Sequence, residues 1–360
     1  MWRSLKKAVR NRSTSRKSEG PQDEATSAVA PDRSKGSGLY SLSNKKSGED
    51  DTDAEPFEVD IVAIHGLNGD AYETWTHHRS QKLWLRDMLP QDMPGARVYT
   101  YSYPSQLLFS RSTATISDYA MKLLAYLNSI RASRERRPIV FVAHDLGGIV
   151  LKQALLLAQI DPNYLSILES TIGILFFATP HRGVRGILDL GILLGNALDV
   201  GLRASGARVL TGKTTRKDLL SNLSANSEIL RNISTSFRHL LGRFAIFTFY
   251  ETEETRPMGR LIVDQDSAMM GVQGEKLIGI FANHTDMCRF DSKDNADYVV
   301  IVSAIQQLCR EVCHDPSLRG SGKAAVRMLN NVDVNEYRSS LPKRIDGTCQ
   351  WILHTPECHS

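Results

Sequence analysis

The stretch Val140–Val150, VFVAHDLGGIV, decides how the rest of the chain is read. Four apolar residues run into a histidine, an aspartate, a leucine and two glycines, and an amphipathic segment from Ile149 to Ile160 follows. That layout reads as a buried strand, a sharp turn and a helix, the arrangement that lifts a reactive side chain above the edge of a sheet. Serine is expected at the top of such a turn. Here the residue is Asp145, so the question is whether the chemistry was kept, changed or given up.

Working outward, apolar runs alternate with helical patterns. VDIVAIHG is a strand ending at Gly66, ARVYTYSYP a second, and Ile116–Ile130 has helical spacing. PIVFVAHD is the third strand, TIGILFFATPHRG the fourth, RFAIFTFYE the fifth, and GRLIVDQDSA has the look of a sixth. Continuous β-branched and aromatic strands between helices predict an α/β fold with a mostly parallel sheet covered by helices on both faces. Between the fourth and fifth strands, roughly 183–241, lies a helical stretch carrying Ile187, Leu190, Ile192, Leu193 and Leu194; its position predicts a helical lid over the site, although a core helix would show the same amphipathic pattern.

The candidate chemistry follows chain order. Asp145 takes the elbow, Glu251 ends the strand FAIFTFYE, and His284 lies in a late loop, IFANHTDMCRF. Nucleophile, acid and histidine in that order are the requirement of an α/β-hydrolase fold. The backbone N–H groups of Leu67, after HG, and Leu146, after the elbow, are the expected oxyanion-hole donors, flanked by glycines that keep them accessible. Asp264 and Asp266 rival Glu251 as the acid. His65 and His144 read as orienting or packing residues, and His181 as structural at the junction after the fourth strand.

Composition bounds the rest. With 360 residues, 41% hydrophobic, the chain is long enough for one large globular domain with tails. A formal charge of +4 and no basic stripe interleaved with aromatics argue against nucleic acid as a partner. Five cysteines in no paired spacing suggest reduced thiols in a cytoplasmic setting and no metal site. No cofactor is expected. Residues 1–56 are polar and charged and read as a disordered tail, 57–315 as the α/β-hydrolase-like domain, and 316–360 as a linker. No apolar run reaches the ~18 residues a membrane span needs. The basic start MWRSLKKAVRNRSTSRKS fits a solvated tail, a contact with an anionic membrane surface, or an address to the mitochondrion or the endoplasmic reticulum membrane.

The segments IVAIHGLNGDAYETWT, HDLGGIVLKQAL, ILFFATPHRG, FYETEET, DSAMMG and ANHTDMCRF resemble, in order and content, the serine-esterase-like α/β-hydrolase domain. That domain is found in the mitochondrial phosphatidylglycerol-remodelling lipase-like family and at the N-terminus of fungal NACHT-type NOD-like receptors. NEYRSSLPKRIDGTCQWILHTPE is similar to the lead-in to the NACHT core, although no GxxxxGK[ST] loop occurs. The resemblance implies a lipid or small ester-like ligand, protein partners in a receptor assembly, and a general base and orienting acid at His284 and Glu251. The departure is Asp145 where the family has serine. An impaired, ligand-sensing domain is the expectation, with hydrolysis by another route or an aspartate nucleophile acting on an sp3 carbon as the alternatives.

Overall fold

The computed structural model describes residues 36–42, 57–106, 113–132, 136–183, 227–256 and 259–314. The basic start, most of the 183–241 stretch and the NACHT-like C-terminal segment lie outside the described residues. The elements used below are β1 (Gly38–Ser41), β2 (Asp60–Ile64), β3 (Arg97–Ser102), α1 (Ile116–Arg131), β4 (Ile139–His144), α2 (Leu146–Ile160) and β5 (Thr171–Phe177). They continue with α3 (Glu228–Phe237), β6 (Ala245–Glu251), α4 (Gln265–Ala268), β7 (Lys276–Ile280) and α5 (Ala296–His314).

The strands form one seven-stranded sheet in the order β1-β3-β2-β4-β5-β6-β7, parallel throughout except for β1. β2, β4 and β5 are buried along their whole length, as unbroken apolar runs require when helices cover a sheet. α1 starts at a capping box in which the Thr115 hydroxyl and the Asp118 carboxylate each accept a backbone N–H from the other residue. It packs on α2, α2 packs on α3, and α5 lies against β5. There Gly173 makes room for Leu308, whose Cδ1 would stand 2.5 Å from any added Cβ.

Two expectations are corrected. GRLIVDQDSA is not a strand: the Val263 N–H donates to the Glu251 side chain, and Asp264 caps the single turn α4. The edge strand is β7, KLIGI, which lies farther along the chain. Within the 1–56 segment expected to be disordered, Gly38–Ser41 pairs antiparallel with β3 and closes the opposite edge of the sheet.

At the N-terminal ends of the parallel strands, Asp60 gathers three arginines. Arg97 meets it with two hydrogen bonds, at 2.6 and 2.7 Å, Arg137 Nε lies 3.1 Å from Oδ1, and Arg131 Nη1 contacts Oδ2. Asp60 and Arg131 are buried, so each depends on the other for the solvation that water no longer supplies. Replacing Asp60 with Asn strands three guanidinium groups. An Asp60→Asn variant is expected to lose about 3–5 kcal/mol of unfolding free energy. Urea unfolding checks this, and a loss below about 1 kcal/mol would mean that the cluster does not stabilise the sheet.

Candidate active site

The turn between β4 and α2 places Asp145 at φ 48° and ψ −121°, a left-handed backbone that costs a non-glycine residue on the order of 1–3 kcal/mol. The surroundings enforce it. The Asp145 N–H donates to the Phe177 carbonyl at 2.9 Å, and the Gly148 N–H donates to the Asp145 carbonyl at 3.0 Å. Added methyls would collide on both sides: at Gly147 with the carbonyls of Ile64 and His65 at 2.5 Å, and at Gly66 with the Asp145 Cβ at 2.6 Å. The glycines are therefore required by close approach of backbone to backbone, and the elbow exists because of them.

Asp145 stands at the N-cap of α2, where an aspartate ordinarily accepts hydrogen bonds from the first turn of its own helix. It makes no such cap. Its Oδ2 instead accepts the N–H of Leu67 at 2.8 Å. Leu67 is held by the turn from Gly66 to Gly69, whose ends are joined by a 3.1 Å hydrogen bond, and by His65 behind it. The His65 ring stacks on Tyr103 at 4.4 Å and its carbonyl accepts the Tyr103 hydroxyl at 2.8 Å. Burial pushes the imidazole pKa down to about 4, so His65 is a neutral packing and orienting residue. Leu146, the other expected donor, opens α2, where first-turn N–H groups have no partner within the helix.

His284 and Glu251 come together. His284 Nδ1 lies 3.1 Å from Glu251 Oε2, an ion-pair contact not aligned as a hydrogen bond, and Glu251 Oε1 accepts the Val263 N–H at 2.6 Å. Both backbone groups of His284 are clamped. Its N–H donates to Thr255 Oγ1 at 3.3 Å, and its carbonyl accepts from His144 Nε2 at 3.0 Å, which fixes the proton of His144 on that nitrogen. Burial, reinforced by the neighbouring His284, keeps His144 well below the usual histidine range. For His284 burial also acts downward, but the Glu251 contact and the Asp145 charge outweigh it and hold the imidazole above its ordinary 6.5. The rival acid Asp264 is exposed and spends its Oδ1 on the Ser267 N–H at 2.7 Å. Asp266, also exposed, sits in the same turn.

An open polar groove of about 910 Å³ runs beside the His284 loop, lined by Glu253, Thr255, Arg256, Asn283, Thr285 and Asp286. Among the described residues no helix is long and apolar enough to cross a membrane, and no group of three His, Cys, Asp or Glu side chains is placed to hold a metal ion. Sequence reasoning did not single out Thr255 as the residue that holds His284. It also passed over Lys152, wholly buried on α2 against His181, although a lysine inside the apolar run GGIVLKQALLLA was a visible signal.

A family profile described as "Putative serine esterase (DUF676)" matches residues 60–257. The protein SERAC1 of Mus musculus is 26% identical over 289 residues, 73% of this chain but 40% of its own length. The chain therefore corresponds to less than half of that relative. Among solved structures, the Bacillus licheniformis lipase BlEst2 in mature form has a TM-score of 0.50 at 15% identity, covering 75% of this chain and 97% of its own. Phospholipase PlaB from Legionella pneumophila also has a TM-score of 0.50, at 14% identity, covering 78% and 64%. At such identity the likeness establishes the α/β-hydrolase fold and no more.

The His284 geometry has a pH consequence. A histidine pKa raised by folding gives stability that is complete below about 6.5 and is lost as pH rises through the raised value. The imidazole of His284, followed by NMR, is expected to titrate above 6.5 in the wild type and lower in both Asp145→Asn and Glu251→Gln. A midpoint unmoved by either change would mean that neither carboxylate holds the proton.

Proposed function

Since the chain belongs to the family described as "Putative serine esterase (DUF676)", we propose that it is a lipase- or esterase-like α/β-hydrolase domain in which the family's serine route to ester hydrolysis is switched off at Asp145. The observation that carries this reading is the 2.8 Å hydrogen bond from the Leu67 N–H to Asp145 Oδ2. The aspartate blocks ester chemistry twice. A carboxylate attacking an ester carbonyl would form a mixed anhydride, higher in energy than the ester it came from. The donor that should receive the substrate's developing oxyanion is meanwhile already engaged by a charged oxygen, a stronger bond than a neutral carbonyl offers in exchange.

With turnover blocked and the scaffold kept, the role that fits is recognition of a lipid or small ester-like ligand within a larger signalling protein. The resemblance of residues 335–357 to the lead-in of a NACHT region supports the larger assembly. A receptor of the fungal NOD-like type, cytoplasmic, with protein partners and a basic N-terminus that touches anionic membrane, is the context we propose. The polar groove beside His284 suits the polar end of such a ligand.

A second reading is favoured by the same hydrogen bond. Holding Oδ2 leaves Oδ1 without a hydrogen-bond partner among the described residues, and attack by Oδ1 on an sp3 carbon would give an alkyl ester as the leaving group departs as an anion. Water deprotonated by His284 would then add to the Asp145 Cγ, with charge developing on Oδ2 where Leu67 already donates; collapse of that intermediate would break the Cγ–Oδ1 bond, the alcohol leaving with the proton held by His284 and the carboxylate being restored.

One experiment separates the readings: a panel of short-chain fluorogenic esters and a primary alkyl halide, offered to wild type, Asp145→Ser, Asp145→Asn and His284→Ala. The first reading expects wild type to be silent on all substrates and Asp145→Ser to hydrolyse esters at least about 100-fold above it. Ester turnover by wild type equal to that of Asp145→Ser would overturn that reading. An alkyl adduct on Asp145, seen by mass spectrometry, trapped in His284→Ala and absent from Asp145→Asn, would establish the second.

A further inference from the structure

Lys152 takes no part in the elbow chemistry, yet three elements meet at its amine. It lies two helical turns beyond Asp145 on α2 and has no exposed surface. Its Nζ is 3.0 Å from His181 Nδ1, in the turn that leaves β5, and 3.0 Å from Ser234 Oγ, on α3. The Ser234 hydroxyl in turn donates to the His181 carbonyl at 3.0 Å. Thr179, in the same turn, presses on the elbow itself: a Cβ at Gly148 would come within 2.1 Å of Thr179 Oγ1. One amine thus fastens the exit of β5 and the helix α3 to the helix that carries the elbow.

Among the described residues, the groups that face this amine supply no counterion in contact with it. From the β5 exit come His181 and, farther out, Arg182, whose charge works against a proton on that ring. From α3 come Ser234 and the Phe237 ring, whose centroid is 5.8 Å away. Glu275, just before β7, is the carboxylate whose attraction reaches Lys152, and no contact joins them among the described residues. Among the described residues two acceptors lie within reach, His181 Nδ1 and Ser234 Oγ; an ammonium would leave its third N–H without a partner, whereas a neutral amine has two N–H groups for the two. The cluster of His181, Ser234 and the buried stem suits the neutral form.

We infer that Lys152 is a proton-operated clasp: neutral, it holds α3 and the β5 exit to the elbow helix, and on protonation it lets α3 detach. This goes beyond the reading of Asp145 and does not depend on it. The clasp has a working range. Burial pushes the Lys152 pKa down from 10.5 to about 7, with Glu275 pulling weakly the other way, and detachment returns the amine to water. Between those two values the detached form binds more protons than the closed form. The clasp therefore tightens as pH rises above 7, by about tenfold per pH unit at most, and stays at its weakest below 7. His181, kept well below its usual range by burial, remains neutral throughout.

Hydrogen exchange of the full chain at about pH 6 and about pH 8.5, corrected for intrinsic rates, tests the clasp. Protection of α3 relative to β4 is expected to fall about thirtyfold from the higher to the lower pH in the wild type. Lys152→Met should abolish that pH dependence, and Ser234→Ala, which keeps the lysine but cuts its link to α3, should leave α3 poorly protected at both values. A wild-type α3 with equal protection at both, or a Lys152→Met variant with the same drop, would overturn the proposal. Should Lys152→Met fail to fold, the Nζ titration of Lys152 in the wild type decides: a midpoint near 7 supports the clasp, and one near 10.5 contradicts it.

Discussion

The hydrogen bond between the Leu67 N–H and the Asp145 carboxylate is the constraint around which the site is organised. Aspartate at a helix N-cap would normally turn inward to its own first turn. Here the left-handed backbone of the elbow points the side chain away from α2 and toward the turn after β2, where a glycine at position 66 leaves just enough room for its Cβ. The elbow thus keeps the geometry that suits a serine while presenting a group one atom longer and negatively charged. That length and charge bring Oδ2 onto the Leu67 N–H, the donor we propose for an oxyanion.

The same constraint shapes His284. In an acyl-transfer site the histidine must be neutral to take a proton from the nucleophile. With Glu251 on one side and the Asp145 charge on the other, His284 is biased toward the protonated state. The aspartate at the elbow therefore acts on His284 as well as on the Leu67 N–H, although only one residue differs from the expected pattern. The opposite end of the sheet bears the structural load. Asp60 and its three arginines tie the starts of β2, β3 and β4 to the end of α1.

Much of this was legible in the sequence, and what was not has physical causes. The central strands announced themselves because a strand buried on both faces must be continuously apolar, as Val140–Ala143 and Ile174–Phe177 are. Asp145, Glu251, His284 and the Leu67 N–H could be named from chain order and strand ends, since a parallel sheet carries all of its C-terminal residues to one edge. The edge strands were harder. β7 is only five residues long, half-buried, and begins at Lys276, while LIV in GRLIVDQDSA offered a more apolar decoy. β1 sits in a polar stretch and is held by pairing with β3, a tertiary contact that composition does not encode. Lys152 was passed over because lysine in a helix is ordinarily a surface residue, and only the fold reveals that its face is turned inward.

A single backbone amide reports on the site. If the Asp145 carboxylate occupies the oxyanion position, the Leu67 amide proton, followed by heteronuclear NMR, will resonate far downfield and exchange slowly in the wild type, and will move upfield and exchange faster in Asp145→Ser. Identical shift and protection in the two proteins would contradict it, because the donor would then be engaged by something other than Asp145.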